Sequence, residues 1–204
     1  MVSGSASAIL TANGQTVART RSPKISVVIC TKDRARKLSA LLASVRKLEC
    51  RSGCPFEVVI VDNGSTDDTR SVVAAFEQDA RLTVSYVYEG RPGEGNARNA
   101  GVRAAAGEII LFTDDDCIVP PDWVERTAAT FADGDLRRVV GGRIELYDKN
   151  DAVVSVKTSL LRDVLDSGTR VLGFIQGCNL AIGRPVFDVV GLFDARFGPA
   201  PGLS

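Results

Sequence analysis

Short apolar runs alternate along this chain with longer stretches whose apolar residues recur every three or four positions. Lys24-Ile25-Ser26-Val27-Val28-Ile29-Cys30 and Phe56-Glu57-Val58-Val59-Ile60-Val61 have the β-branched character of strands buried on both faces, as parallel sheets require. Leu82 to Tyr88 reads as a third strand. Glu108 to Phe112 reads as a fourth, running on through Thr113 into Asp114-Asp115-Asp116. After the polar turn Thr31-Lys32-Asp33-Arg34, the residues Leu38, Leu41, Leu42, Val45 and Leu48 fall at helical spacing. Val72, Val73 and Phe76 mark a second helix, with Ser65 or Thr66 as its cap and Asp67 and Asp68 in its first turn. The glycine-rich loop Glu89 to Gly95 leads into a third helix over Asn96 to Ala106.

Beyond the acidic triplet, Pro120-Pro121-Asp122 starts a helix through Trp123, Val124 and Phe131, since proline suits a first helical position. Val139 to Leu146 and Gln176 to Ile182 read as strands, Val153 to Leu165 as a helix, and Pro185 to Val190 as a short helix. Residues 1–22, rich in Ser, Ala, Thr and Gly without sustained periodicity, read as a disordered leader. Strands alternating with helices predict an α/β fold, a mostly parallel, Rossmann-like sheet with helices on both faces. In such sheets ligands bind outside the carboxyl ends of the strands. Thr31–Arg34, Asp62–Asn63, the Gly90–Gly95 loop and Asp114–Asp116 all fall at those ends.

Composition narrows the chemistry. The 204 residues fit one domain. Acidic and basic residues balance at 25 each, so no net field points to nucleic acid. The chain contains no histidine, which excludes serine or cysteine nucleophiles run through a histidine base and histidine-ligated zinc. Proton transfer falls to carboxylates. No apolar run approaches the roughly 20 residues of a membrane helix, and no signal-type apolar core opens the chain. A cytoplasmic location, free or peripheral at the membrane, is therefore expected. The five cysteines, Cys30, Cys50, Cys54, Cys117 and Cys178, are an odd number without zinc-finger spacing and are expected as reduced thiols.

Asp114 and Asp116 flank one residue, so on an extended segment both side chains face one way. That spacing suits one hard cation, Mg²⁺ or Mn²⁺, which completes its shell with water and substrate phosphate oxygens. Asp62 ends the second strand, where open α/β sheets place an acid that recognises a nucleoside. Gly93 and Gly95 begin a dinucleotide fingerprint that Arg98 breaks, yet they open a helix whose N-terminus and Arg98 can hold phosphate or base. No Gly-x-x-x-x-Gly-Lys-Ser/Thr phosphate loop is present, which argues against an ordinary ATPase or GTPase.

Taken in order, five blocks resemble family 2 glycosyltransferases, which have the GT-A fold. They are Val27–Arg34, Val58–Asp67, Gly95–Gly101 followed by Ile109–Asp116, Gly177–Ala181, and Val190–Gly198. The resemblance implies that Asp33, Asp62 and Arg98 contact the nucleotide, with Thr31, Arg34, Asn63, Asp114 and Asp115 completing the donor-binding set. It further implies that Asp114 and Asp116 hold the metal on the diphosphate of a UDP-, GDP- or dTDP-sugar, and that an unknown acceptor hydroxyl attacks with inversion. In this family the base usually belongs to a Glu-Asp pair shortly after the Phe-Asp-x-x-Phe-Gly block. Here six residues follow Phe193–Gly198, leaving Asp194 as the nearest candidate base. The resemblance therefore implies a domain over residues 23–204, with a nucleotide-binding part at 23–118 and an incomplete acceptor-side part at 119–204. The rivals are a nucleotide-sugar-binding chain without transfer activity and a nucleotidyltransferase. Cys117 stands where relatives often carry a further acid.

Overall fold

The computed structural model describes residues 9–10, 16–17, 24–148, 150, 156–159, 164–165 and 175–196. Strands β1 (Ile9–Leu10) and β2 (Thr16–Val17), within the stretch expected as a leader, pair antiparallel with each other. The sheet that positions the site is formed by β3 (Ile25–Thr31), β4 (Phe56–Asp62), β5 (Val84–Tyr88), β6 (Ile109–Asp114), β7 (Val139–Gly141) and β8 (Leu180–Gly183). Helices α1 (Ala35–Val45), α2 (Thr69–Glu77), α3 (Glu94–Ala104), α4 (Trp123–Thr130) and α5 (Arg184–Val190) complete the described elements, with a single 3-10 turn at Gly177–Asn179.

The strand order is β5-β4-β3-β6-β8-β7. β3, β4, β5 and β6 are parallel, whereas β8 runs antiparallel to both β6 and β7. The chain winds outward from β3 through β4 to β5, then crosses back to lay β6 on the other side of β3. The order therefore reverses between β3 and β6, and open α/β sheets bind ligands outside the carboxyl ends of the strands at such a switch.

Alternation along each central strand feeds two cores. Ile25, Val27, Ile29, Val58, Ile60, Ile109 and Leu111 pack with α1, α2 and α4 through Leu38, Leu41, Val73, Phe76, Val124 and Phe131. Val28, Val59, Val61, Ile110 and Phe112 pack on the other face with Ala97, Val102, Leu180 and Ile182. Burial on both faces is why these strands read as unbroken apolar runs.

Several boundaries differ from expectation. α2 begins at Thr69, with Asp68 at its N-cap and no side-chain cap bond. Ser65 Oγ instead accepts the Asp33 N–H at 2.9 Å, and Thr66 bonds Asp33, so these residues tie two loops together rather than capping the helix. The strand expected over Val139–Leu146 ends at Gly141. Gln176 to Asn179 belongs to the approach and the 3-10 turn before β8. The helix expected over Val153–Leu165 lies largely outside the described residues, and Lys157 within it forms an isolated antiparallel bridge with Ile144. Cys50 and Cys54, expected as thiols, form a disulfide across the Arg51–Gly53 turn, while Cys30, Cys117 and Cys178 are free.

At the amino ends of the strands a buried polar network joins the layers. Glu57 Oε1 accepts Ser26 Oγ–H at 2.6 Å and the Ala106 N–H at 2.7 Å, and Gly107 N–H donates to Ser26 Oγ at 2.8 Å. Lys24 Nζ lies 3.5 Å from Glu57 Oε2. Burial pushes the Glu57 carboxyl up, but the Ser26 and Ala106 bonds and the Lys24 charge outweigh it and leave it below its ordinary value. A carboxylate held down in this way adds stability above its unfolded pKa, near 4.5, and loses it as pH falls through the folded value. Glu57→Gln is expected to cost about 1–3 kcal/mol at pH 7, with the difference from the parent shrinking in acid, as pH falls through the lowered folded value. Urea unfolding at neutral and at acid pH measures it, and a pH-independent difference would contradict the assignment.

Candidate functional site

The carboxyl ends of β3 and β6 meet through Thr31 and the acidic triplet. Cys30 pairs with Asp114 in the β3–β6 register, so Thr31 stands beside the residue that follows. Asp115, 4 % exposed, turns inward. Its Oδ2 accepts Thr31 Oγ1–H at 2.7 Å, and its Oδ1 accepts Arg34 Nη1–H at 3.1 Å. Burial pushes the Asp115 carboxyl above its usual value, and the Thr31 bond and the Arg34 charge only partly offset this. β6 ends at Asp114, and Asp115 and Asp116 lie in the turn that follows rather than on the extended segment expected from sequence; Asp114 and Asp116 are the more open. Asp116 Oδ2 takes Arg34 Nη1 at 3.2 Å and Lys37 Nζ at 3.4 Å, both exposed side chains.

Asp114 Oδ1 has Arg98 Nη2 at 3.8 Å, and Arg98 also pairs with Glu94 one turn earlier on α3. Burial, opposed by Arg98 and helped by the Glu94, Asp116 and Asp115 charges, raises the Asp114 carboxyl to about 6. The Arg98 guanidinium lies 5.7 Å from the centre of the Phe193 ring. A Cβ at Gly177 would overlap Arg98 Nη2, so only glycine at that turn leaves room for the guanidinium.

The second cluster closes the adjoining end of β4. Asp62 is 2 % exposed, and its two oxygens accept the Ser65 N–H at 2.7 Å and the Tyr86 O–H at 2.8 Å. Asn63 donates its backbone N–H to Thr31 O at 2.9 Å, joining the two clusters. Its side chain donates to the carbonyls of Glu89 and Arg91 and accepts the Gly93 N–H, which folds the glycine-rich loop against β4. Gly93, at φ +115°, directly precedes α3, a backbone conformation that other residues rarely adopt. Asp33 has φ +51° and binds the backbone and hydroxyl of Thr66. It thus occupies the outer rim.

Thr31, Arg34, Asp115 and Asp116 therefore form one hydrogen-bonded group, Arg98 and Asp114 lie beside it, and Asp62, Asn63 and Asp33 brace the neighbouring loops. Asp194 is exposed, and Arg196 clamps both of its oxygens, holding the carboxyl below its usual value. A carboxylate so stabilised is a weak base at neutral pH. Its backbone serves the site instead: Asp194 O and Ala195 Cα stand 3.1 Å from where a Cβ on Gly95 would sit, so this loop packs on the start of α3. Cys117, left without an account by the sequence, hydrogen-bonds the Cys178 thiol of the 3-10 turn, which lowers the Cys117 pKa and raises that of Cys178.

Other contributors were not singled out from sequence. Asn99 brackets the backbone of Phe193, donating to its carbonyl at 2.7 Å and accepting its N–H at 2.9 Å. Asn179 accepts the Trp123 indole N–H at 3.0 Å and donates to Arg143 O at 2.8 Å. Both lie inside quoted sequence blocks, but their partners are 94, 56 and 36 residues away, beyond any periodicity. Lys37 carries a signal of its own, one helical turn after Arg34.

The model of the family described as Glycosyl transferase family 2 matches residues 26–191. The chain belongs to glycosyltransferase family 2. Among curated family 2 relatives, an uncharacterized glycosyltransferase of Nostoc sp. is 34% identical over 131 residues, covering 64% of this chain and 39% of its own length. The chain thus spans well under two thirds of that relative. Staphylococcus aureus TarS 1-349 in complex with UDP superposes with a TM-score of 0.70 at 23% identity, over 87% of this chain and 52% of that one. The mannosyltransferase PcManGT from Pyrobaculum calidifontis, in complex with GDP-Man and Mn²⁺, superposes with a TM-score of 0.64 at 23% identity, over 87% and 49%. These likenesses bear out the α/β, GT-A-type fold. Among the described residues, no helix is long and apolar enough to cross a membrane.

For this family 2 chain, Asp115 is the internal support of the acidic triplet. Asp115→Ala would leave the buried Thr31 hydroxyl and the Arg34 guanidinium without their partner. Its expected cost is about 2–4 kcal/mol of stability and about 10–100-fold in donor affinity. Urea unfolding and calorimetric titration with a nucleotide-sugar measure the two effects. Unchanged values of both would show the inward bonds to be incidental.

Proposed function

We propose that this chain forms the donor-binding part of a metal-dependent, inverting glycosyltransferase that moves a sugar from a nucleotide-diphosphate sugar to an acceptor hydroxyl. The observation that carries the reading is the acidic triplet at the sheet's switch point, with Asp115 bonded inward and Asp114 and Asp116 the more exposed. Family membership and the bound UDP, GDP-Man and Mn²⁺ of the structural neighbours support it.

Among the described residues, no group of three or more His, Cys, Asp or Glu side chains gathers into a metal cage. Two carboxylates suit an Mg²⁺ or Mn²⁺ that draws its remaining ligands from phosphate and water. Asp114 and Asp116 would hold it, and when bound it neutralises charge growing on the leaving diphosphate. Arg98, on the helix N-terminal to that position, would bind phosphate and strengthen its hold as the bond to the sugar breaks. Asp62 and Asp33 would hold the nucleoside, with Asn63 fixing the loop between them. Asp194, tied to Arg196, would order the loop over α3, and we do not assign it the proton of the acceptor.

Calorimetric titration of the chain with UDP- and GDP-sugars, with Mn²⁺ and with EDTA, tests the donor site. Saturable binding that needs Mn²⁺ is the expected result, and absence of binding by every nucleotide-sugar would defeat the reading. Release of nucleoside diphosphate with transfer to an added acceptor separates a transferase from a chain that only binds donor.

A further inference from the structure

We infer that Cys117 and Cys178 form a dithiol modification site: a small-molecule disulfide converts the pair to a cross-link that ties the turn of the acidic triplet to the 3-10 turn before β8 and weakens donor binding. The cross-link stands on the contact between the two thiols, and its effect on the donor rests on the nucleotide-sugar reading above.

The sheet brings these cysteines together from distant parts of the chain. β6 and β8 run antiparallel with Phe112 opposite Leu180, so the residues after Phe112 run alongside those before Leu180. At the end of this pair the Cys178 S–H donates to the Cys117 sulfur. Both residues are partly exposed, within reach of a solute. The other cysteines are placed differently. Cys50 and Cys54 are already bonded to each other, and Cys30 belongs to β3, on the opposite side of β6 from β8.

Each thiol is anchored beside a charge of the donor site. The Cys117 N–H bonds Asp114 O at 3.2 Å and closes the turn over Asp115 and Asp116. Cys178 follows Gly177, where even a Cβ would overlap Arg98 Nη2. It precedes Asn179, which the Trp123 indole N–H and the Arg143 carbonyl hold in place. A disulfide draws two sulfurs from hydrogen-bond contact to roughly 2 Å. Drawing these two turns together shifts the acid turn or presses Gly177 on the Arg98 guanidinium, and either movement displaces a charge that the donor needs.

The exchange requires a disulfide as oxidant, such as oxidised glutathione. The Cys117 sulfur attacks one sulfur of the reagent, whose S–S bond breaks, and one glutathione leaves as a thiol carrying the Cys117 proton. The Cys178 sulfur then attacks Cys117 in the mixed disulfide, and the second glutathione leaves with the Cys178 proton. Two protein thiols are oxidised to one disulfide, and one reagent disulfide is reduced to two thiols.

Treatment of the full chain with oxidised glutathione, followed by intact-mass measurement, non-reducing peptide mapping and titration with UDP-GlcNAc and GDP-Man in Mn²⁺, tests this. The parent is expected to lose two hydrogens, to yield a Cys117–Cys178 peptide beside the Cys50–Cys54 one, and to bind donor at least about tenfold more weakly. Cys178→Ser is expected to stop at a glutathione held on Cys117. The double variant Cys117→Ser/Cys178→Ser is expected to keep its donor affinity through the treatment. No Cys117–Cys178 peptide from the parent, or a cross-link that reaches Cys30 instead, would overturn the inference and leave the donor site standing. A cross-link that leaves donor affinity unchanged, or an equal loss in the double variant, would overturn the coupling between the pair and the donor. Absence of donor binding by the untreated chain would defeat the proposed function, while the peptide map still decides the cross-link. Should either variant not fold, the map and affinity of the parent decide.

Discussion

Asp116→Ala is expected to weaken Mn²⁺-dependent binding of a nucleotide-sugar by more than about a hundredfold, and Asp114→Ala to do the same. Outer-shell partners of metal ligands are alone worth about 10–100-fold, so loss of a direct ligand should exceed that range. The fold should survive. Asp116 is exposed, and its pairs with Arg34 and Lys37 are surface ion pairs, worth about 0–1 kcal/mol. Arg34 keeps its bond to Asp115 when Asp116 is shortened. Asp116→Asn offers a milder comparison, since it keeps size and one oxygen but removes the charge. Calorimetry with and without Mn²⁺, alongside urea unfolding, gives both readouts. If metal-dependent affinity survives in both alanine variants, the cation is held elsewhere and the role given to the triplet is wrong.

The second large effect is expected at Gly101, on the face of α3 that lies on the sheet. A Cβ there would overlap Val28 Cγ1 and stand 3.3 Å from Val61 Cγ2. Val28 and Val61 are fully buried in β3 and β4, so neither can move aside without disturbing the core. Gly101→Ala would gain helix propensity of about 1 kcal/mol. Overpacking costs about 1–3 kcal/mol, and the cost should win because the opposing atoms belong to a packed sheet. The helix can relieve the overlap only by lifting, which carries Arg98 away from Asp114. We expect Gly101→Ala to lose about 1–2 kcal/mol net in urea unfolding and to weaken donor binding, while Ala104→Gly, on the same helix but outside this contact, leaves donor affinity near the parent value. A stabilised Gly101→Ala protein with parental affinity would show that α3 does not need this close approach.

Much of the site was legible because it lies at the ends of strands that are legible. β3, β4 and β6 are buried on both faces, so each appears as an apolar run with a sharp polar end, and the site residues are those ends. β8 was recognised as apolar, but its antiparallel pairing with β6 was not expected, since hydrophobic pattern carries no direction. The missed roles of Ser65 and Thr66 have a similar cause. Hydroxyl residues ahead of a helix satisfy a capping pattern locally, yet a loop 32 residues earlier competed for them and won.

The amino-acid sequence by itself determined that the chain builds an α/β sheet, that its acids collect at one edge, and that carboxylates without histidine must carry any proton or metal chemistry there. Only the tertiary structure decided which of these acids turns inward. Three adjacent aspartates are chemically alike in sequence. They become different because Thr31 and Arg34, brought beside them by parallel pairing of β3 with β6, draw Asp115 inward and leave Asp114 and Asp116 outside. The same holds for Asp62, whose second oxygen is claimed by Tyr86 across a strand pair that no local pattern announces. Hydrogen bonds between residues tens of positions apart form only once the sheet fixes their distance, and local periodicity is blind to that distance.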